Sequence, residues 1–337
     1  MVYFFLNYID SLSRHGNLTV FSGSTFAGLI SGLTPFHLIF YTALIVSFVW
    51  LISKLHSREL LRTRRMLHEL ESELAETRAK LSVLEYKTQN IADSLVYAKH
   101  IQDALLPHES FLKENFREYF IFYQPRDIVS GDFYWFGRVN GKIYIISADC
   151  TGHGVPGALL SIIGQNLLNQ IIGNGVVDNP SEILEYLDKS ARKVYTRKDD
   201  AYIKDGMDIG ICAIDMDSRR LEFSGAFSSV YIVRDDKLTE IRGNKFILGM
   251  KPEGASYSCQ ESALAGNDVI YFFTDGYADQ FGGPENKKFM YRRFRYLLTT
   301  INRLSLPEQK VILHDTFLSW KGNNEQVDDI LVIGVRI

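Results

Sequence analysis

The sequence predicts an α+β protein with antiparallel sheets, carried behind an apolar helix and a coiled coil. Three observations lead there. From about residue 119 onward, runs rich in Ile, Val, Tyr and Phe read as strands, and they come in groups rather than alternating one by one with helices. Ahead of them, the stretch 35–52 holds no Asp, Glu, Lys or Arg. Between the two, apolar residues recur on a seven-residue beat that no Pro or Gly interrupts.

The chain has 337 residues, 46% of them hydrophobic and 23% charged, the composition of a folded protein. Its net charge of −3 gives no basic surface for nucleic acid, so no nucleic-acid partner is expected. Three cysteines, Cys150, Cys212 and Cys259, lie too far apart for a zinc spacing and are odd in number for a disulfide framework. They suit a reducing compartment.

Residues 1–34 form a short N-terminal segment, mildly apolar in "LTVFSGSTFAGLISGL". The next stretch, "PFHLIFYTALIVSFVWLI" over 35–52, just meets the roughly 17–25 apolar residues of a membrane helix. Lys54, Arg58, Arg62, Arg64 and Arg65 follow it against a single acid, Glu59, whereas only Asp10 and Arg14 are charged before it. The positive-inside rule then makes this a single-pass anchor in the cytoplasmic (inner) membrane, with everything after it in the cytoplasm. A buried helix of a soluble protein, or an uncleaved signal sequence, is the alternative.

The segment 53–107 reads as a coiled coil and linker helix. Leu60, Leu67, Leu74, Leu81, Thr88 and Leu95 fall at one heptad position, and Thr63, Leu70, Thr77, Leu84, Ile91 and Ala98 three residues later. Glu73 would face Arg78, and Lys80 would face Glu85, across a parallel homodimer formed through 60–98. The threonines weaken the seam, as suits a helix that shifts. A solvated helix packed on its own domain is the bland alternative. Pro107 stops the helix. His100 invites a histidine-kinase reading, but no glycine-rich nucleotide loop follows, so it reads as a polar face residue of the linker.

Within 108–337 the strand candidates are "YFIFYQ", "DFYWFGRV", "KIYIISA", "DIGICAID", "RLEFSGAF", "VYIVRD", "DVIYFFT" and "ILVIGVRI". Helices are expected from Pro156, from Pro180 with Asn179 as N-cap, from Pro307, and over "MYRRFRYLLTT". Four acids fall at strand mouths: Asp132 and Asp328 open strands, and Asp149 and Asp275 end them. Any one alone is an ordinary turn residue. Four together would repel unless cations neutralised them, and an all-oxygen shell suits Mg²⁺ or Mn²⁺ rather than zinc.

"VSGDFYWF", "ADCTGHGVPGALLS", "FFTDGYADQ" and "QVDDILVIGV", in this order, resemble the SpoIIE/RsbU branch of the metal-dependent type 2C (PPM) protein phosphatases. The resemblance covers roughly Leu105 to Ile337 and takes in the linker "HIQDALLP". It implies an α-β-β-α sandwich with two Mn²⁺ or Mg²⁺ ions and hydrolysis of phosphoserine or phosphothreonine in a protein. It further implies that Asp149 bridges the ions, that the backbone carbonyl of Cys150 adds a ligand, and that Asp132, Asp275 and Asp328 complete the shell, so that Asp149 and Asp275 act in catalysis with no cysteine nucleophile. Asp329 is the alternative to Asp328. His153 has two readings, a water-orienting or proton-donating group and a turn-stabilising one. Asp208 and Asp279 are candidates for a further metal, or simply satisfy backbone amides. Arg126 stands near the phosphate-binding arginine of many type 2C enzymes, although this branch does not generally keep one.

The resulting expectation is a membrane-anchored, dimeric serine/threonine phosphatase. In similar proteins the substrate is a phosphorylated STAS-type regulator of a partner-switching pathway. A catalytically silent pseudophosphatase scaffold and a nuclease are the rivals. The four ligands argue against the first and the absent basic signal against the second.

Overall fold

The computed structural model describes residues 34–173, 177–195 and 205–337. The N-terminal apolar segment 18–33 lies outside them. The chain divides into two units, with the boundary between Lys87 and Thr88.

The first long element is α1, Pro35–Leu105, a single helix of 71 residues. Leu60, Leu67, Leu74 and Leu81 of its heptad seam are all exposed, as are Leu70, Leu84 and Ile91. Its apolar N-terminal part makes it one of two helices, among the described residues, long and apolar enough to cross a membrane. The other, Gly154–Ile172, belongs to the sandwich and is partly buried there.

The sandwich is built on two five-stranded antiparallel sheets. One contains β1 (Glu118–Gln124), β6 (Ser229–Arg234), β7 (Lys237–Arg242), β9 (Val269–Phe273) and β12 (Ile330–Arg336), in the order β1-β12-β9-β6-β7. The other contains β2 (Phe133–Val139), β3 (Lys142–Cys150), β4 (Met207–Asp215), β5 (Arg220–Ala226) and β8 (Gln260–Ala263), in sequence order. A two-stranded ribbon joins β10 (Phe281–Gly282) to β11 (Lys287–Lys288). The helices are α2 (Ser110–Asn115), α3 (Gly154–Ile172), α4 (Pro180–Tyr195), α5 (Gly276–Asp279), α6 (Met290–Ile301) and α7 (Leu306–Lys321).

Strand β3 shows why the layers stack as they do. Its side chains alternate faces with a period of two. Ile143 and Ile145 enter the core between the sheets with Phe223, Ile270 and Leu331. Tyr144, Ile146 and Ala148 face the other way, into a core shared with Leu168 of α3 and Leu184 and Leu187 of α4. The second sheet repeats the scheme, placing Tyr231, Tyr271 and Val332 against Phe294 of α6 and Phe317 of α7. Helix, sheet, sheet and helix therefore form four layers, the α-β-β-α arrangement that the resemblance implies.

All eight sequence-predicted strands form. The charged strand β7 and the polar β8 carry no apolar run and are not legible beforehand. Helix α3 starts at Gly154, two residues ahead of Pro156. A proline fits there because N–H groups in the first turn have no intrahelical acceptor. Asn179 caps α4, its side-chain oxygen accepting from the Ser181 N–H at 2.9 Å. Ser305 and Glu308 form a capping box on α7.

Candidate active site

The sheets deliver their acids to one end of the sandwich. Phe133 pairs with Ala148, so Asp132 and Asp149 lie beside each other at the ends of β2 and β3. Asp149 pairs with Asp208 across β3 and β4. In the other sheet, Asp275 follows β9 and Asp328 precedes its neighbour β12. The sheets are tied together here: the Thr274 hydroxyl donates to Asp132 Oδ2 at 2.6 Å, across 142 residues of sequence.

The carboxylates of the cluster raise one another. Burial pushes the Asp132 carboxyl well above the usual range, opposed by the Thr274 hydrogen bond and reinforced by Asp329, Asp328 and Asp275. Burial likewise raises Asp149, with Asp132, Asp275, Asp328 and Asp208 adding to it. Asp275 is raised to about 6 by burial and by Asp328 and Asp279. Asp208 is raised to about 7 by burial and by Asp275. Asp328 is raised by burial as well, while His153 and Arg126 pull it down. Asp275 Oδ1 is buried with no hydrogen-bond partner.

These residues fit divalent cations. All donors are carboxylate oxygens, they repel one another, and one oxygen is orphaned. Among the described residues, no three His, Cys, Asp or Glu side chains form a compact group that would enclose an ion by themselves.

The adjacent aspartates Asp328 and Asp329 differ in their hydrogen bonds. Asp329 is buried, its Oδ1 accepting from the Arg126 N–H at 2.7 Å and its Oδ2 from the Gly131 N–H at 2.8 Å. Both oxygens thus clamp the loop that presents Asp132. Asp328 accepts the Asp329 N–H at 2.9 Å and stands close enough to Asp132, Asp149 and Asp275 to raise all three. The turn after Asp149 is shaped by backbone approach. A Cβ on Gly157 would meet the Gly152 carbonyl at 2.2 Å, and one on Gly131 would meet it at 2.8 Å and the Cys150 carbonyl at 3.2 Å. Gly152 itself has φ +85°, a left-handed conformation that glycine adopts without strain.

The remaining candidates sit around this core. His153 precedes α3 and pairs with Asp127 Oδ2 at 2.8 Å, the turn-stabilising arrangement, with its ring half exposed. Arg126 donates to the Val327 carbonyl at 2.9 Å, which secures it beside Asp328. Asp279 is bound to Lys288 at 2.7 Å and so faces the β10–β11 ribbon. The Cys150 thiol is buried and pushed up by that burial.

Two participants had no sequence signal. Thr274 is recognisable only once the two sheets are packed. Gln102 near the end of α1 is buried, donating to the Ser130 carbonyl at 2.6 Å and to Ser161 Oγ at 2.8 Å, and accepting from the Ser130 N–H at 3.0 Å. It holds the loop before Asp132 and the helix behind Asp149 together. Counted from Leu95 it falls at the next heptad position of the sequence.

The family model described as Stage II sporulation protein E (SpoIIE) matches residues 140–337. The SiaA-PP2C domain of Pseudomonas aeruginosa is 33% identical, with a TM-score of 0.67 over 74% of this chain and 98% of that one. The PP2C phosphatase domain and regulatory fragment of SpoIIE from Bacillus subtilis is 16% identical, with a TM-score of 0.53 over 65% of this chain and 62% of that one. The RsbU and RsbW domains of a Mycobacterium tuberculosis protein are 19% identical, with a TM-score of 0.53 over 66% of this chain and 60% of that one. The last two likenesses concern the fold. No curated protein matches. The family model spans more than half of the chain, and the chain belongs to the SpoIIE family of PP2C-type serine/threonine phosphatases.

Proposed function

We propose that the protein is a membrane-anchored, dimeric, metal-dependent phosphatase that removes phosphate from serine or threonine of a partner protein. One observation carries the chemistry: Asp132, Asp149, Asp275 and Asp328 meet at one end of the sandwich, with Asp275 Oδ1 buried and unpaired.

In this reading Asp132, Asp149, Asp275 and Asp328, with the Cys150 carbonyl, hold two Mn²⁺ or Mg²⁺ ions, and Asp208 stands by for a further one. Such ions supply Lewis acidity, lowering the pKa of coordinated water and offsetting phosphoryl charge. The chain's own residues fix the geometry. Thr274 orients Asp132, Asp329 holds the 126–131 loop, and the glycine contacts let the turn after Asp149 close on α3. Asp127 fixes His153 at the rim, near Asp328.

The anchor rests on the charge-free 35–52 stretch and the basic residues behind it. The homodimer rests on the exposed heptad seam of α1. Gln102 offers a route from that helix to Asp132 through Ser130, so a rotation of the coil would move the loop bearing a ligand. A STAS-type phosphoprotein is the proposed substrate, on the strength of the family resemblance. Mn²⁺-dependent release of phosphate from a phosphorylated STAS-domain protein tests the reading. Mn²⁺ binding without any phosphate release would favour the scaffold.

A further inference from the structure

A cleft of about 390 Å³ adjoins the carboxylate cluster. Asp149, Asp208 and Asp275 line one part of it, and Arg242 of β7 and Arg295 of α6 line another. Nothing in the phosphatase chemistry above uses the two arginines. Both are tied to Glu240, Arg242 at 2.8 Å and Arg295 at 3.2 Å. Glu240 has a side chain only 19% exposed, against 69% for Arg242 and 38% for Arg295. Two guanidinium groups against one carboxylate leave this part of the cleft positive. A guanidinium carries five N–H donors in a planar fork, and Glu240 takes one from Arg242.

The geometry points to a substrate-reading subsite: Arg242, steadied by Glu240 and Arg295, binds a carboxylate side chain that lies beside the phosphorylated residue of the partner protein. This rests on the phosphatase reading, which seats the phosphoryl group at the aspartates. The adjoining part of the same cleft then meets the polypeptide next to it. A planar fork fits a carboxylate bidentately, and a positive subsite beside an acidic one rewards a segment whose charges are arranged in the matching order. Arg242 is the specificity-determining residue, being the most exposed of the three. Glu240 and Arg295 position it.

The test uses the full chain in detergent micelles with Mn²⁺. Two labelled peptides carry a non-hydrolysable phosphonate analogue of phosphoserine, one flanked by Asp and Glu and the other by Asn and Gln. Their affinities are compared by fluorescence anisotropy for the wild type, Arg242→Ala and Arg242→Lys. Expected is about tenfold tighter binding of the acidic peptide by the wild type. Arg242→Ala should lose that preference and Arg242→Lys keep part of it, with Mn²⁺ affinity and melting temperature unchanged. Equal affinity of the wild type for both peptides overturns the subsite. So does an equal loss for both peptides in Arg242→Ala, which would mean that the guanidinium holds the phosphoryl group itself. Hydrolysis of the matching phosphoserine peptides is read separately. A retained preference with no hydrolysis contradicts the phosphatase reading alone, and hydrolysis with no preference contradicts the subsite alone.

Discussion

Asp149 and Asp208 sit directly opposite each other on neighbouring strands, at the end of the sandwich where Asp132, Asp275 and Asp328 also gather. Like charges opposed across a ladder destabilise a sheet. The pair therefore marks a place where the fold gives up stability.

That cost has a pH dependence with a definite sign. Asp275, raised to about 6, and Asp208, raised to about 7, keep their protons in the folded metal-free state where the unfolded chain has already lost them. The folded state then binds more protons, so stability falls as pH rises from about 4 to about 7. The metal-free protein should melt at a higher temperature at pH 5 than at pH 7.5, by the equivalent of a few kcal/mol at most. Saturating Mn²⁺ should remove the difference. A metal-free melting temperature that climbs across this range would contradict the raised values.

Neighbouring aspartates should fail in different ways. Asp329→Ala leaves the Arg126 and Gly131 N–H groups without their acceptor and should cost about 2–4 kcal/mol of stability. Asp328→Ala should leave the metal-free melting temperature unchanged or raise it, while weakening Mn²⁺ binding by about 10–100-fold. Calorimetric titration and thermal melts on both variants separate the tasks, and identical behaviour would undo the distinction.

Gln102 should transmit rather than bind. Gln102→Ala removes its bonds to both the N–H and the carbonyl of Ser130. Activity should change by about fivefold or more while Mn²⁺ affinity stays within about twofold. Ile101 and Leu105, its exposed neighbours, should matter only where the helix meets a second copy. Unchanged turnover in Gln102→Ala would remove the proposed route from the coil.

The turn after Asp149 tolerates no side chain at Gly157. An alanine there would place its Cβ 2.2 Å from the Gly152 carbonyl, so α3 or the turn must move. A loss of about 1–3 kcal/mol is expected, together with weaker metal binding because the turn carries Asp149. Gly141→Ala, with nothing near its Cβ but a left-handed φ of +84°, should lower stability without touching Mn²⁺ affinity.

Much of this molecule was legible in its sequence because the deciding signals are local. Apolar strand runs such as "KIYIISA" announce themselves, and Asp132, Asp149, Asp275 and Asp328 each stand at the mouth of one. The charged strand β7 was not legible, since Leu238 and Ile241 are its only apolar residues, too few to read as a strand run, although both pack on the cores and β6 pairs along its length. Nor were the long-range bonds of Thr274 and Gln102, which exist only after both sheets and α3 are in place. Which of Asp328 and Asp329 clamps the 126–131 loop is a question of one residue's register, which sequence spacing leaves open and the hydrogen bonds of Asp329 answer.

The most direct measurement is phosphate release from a phosphoserine peptide by the full chain in detergent, with and without Mn²⁺, for the wild type and Asp275→Asn, with Mn²⁺ binding followed calorimetrically on the same samples. The account predicts turnover that requires Mn²⁺ and falls at least about 100-fold in Asp275→Asn, accompanied by weaker ion binding. Mn²⁺-independent turnover, or full activity in Asp275→Asn, would contradict it.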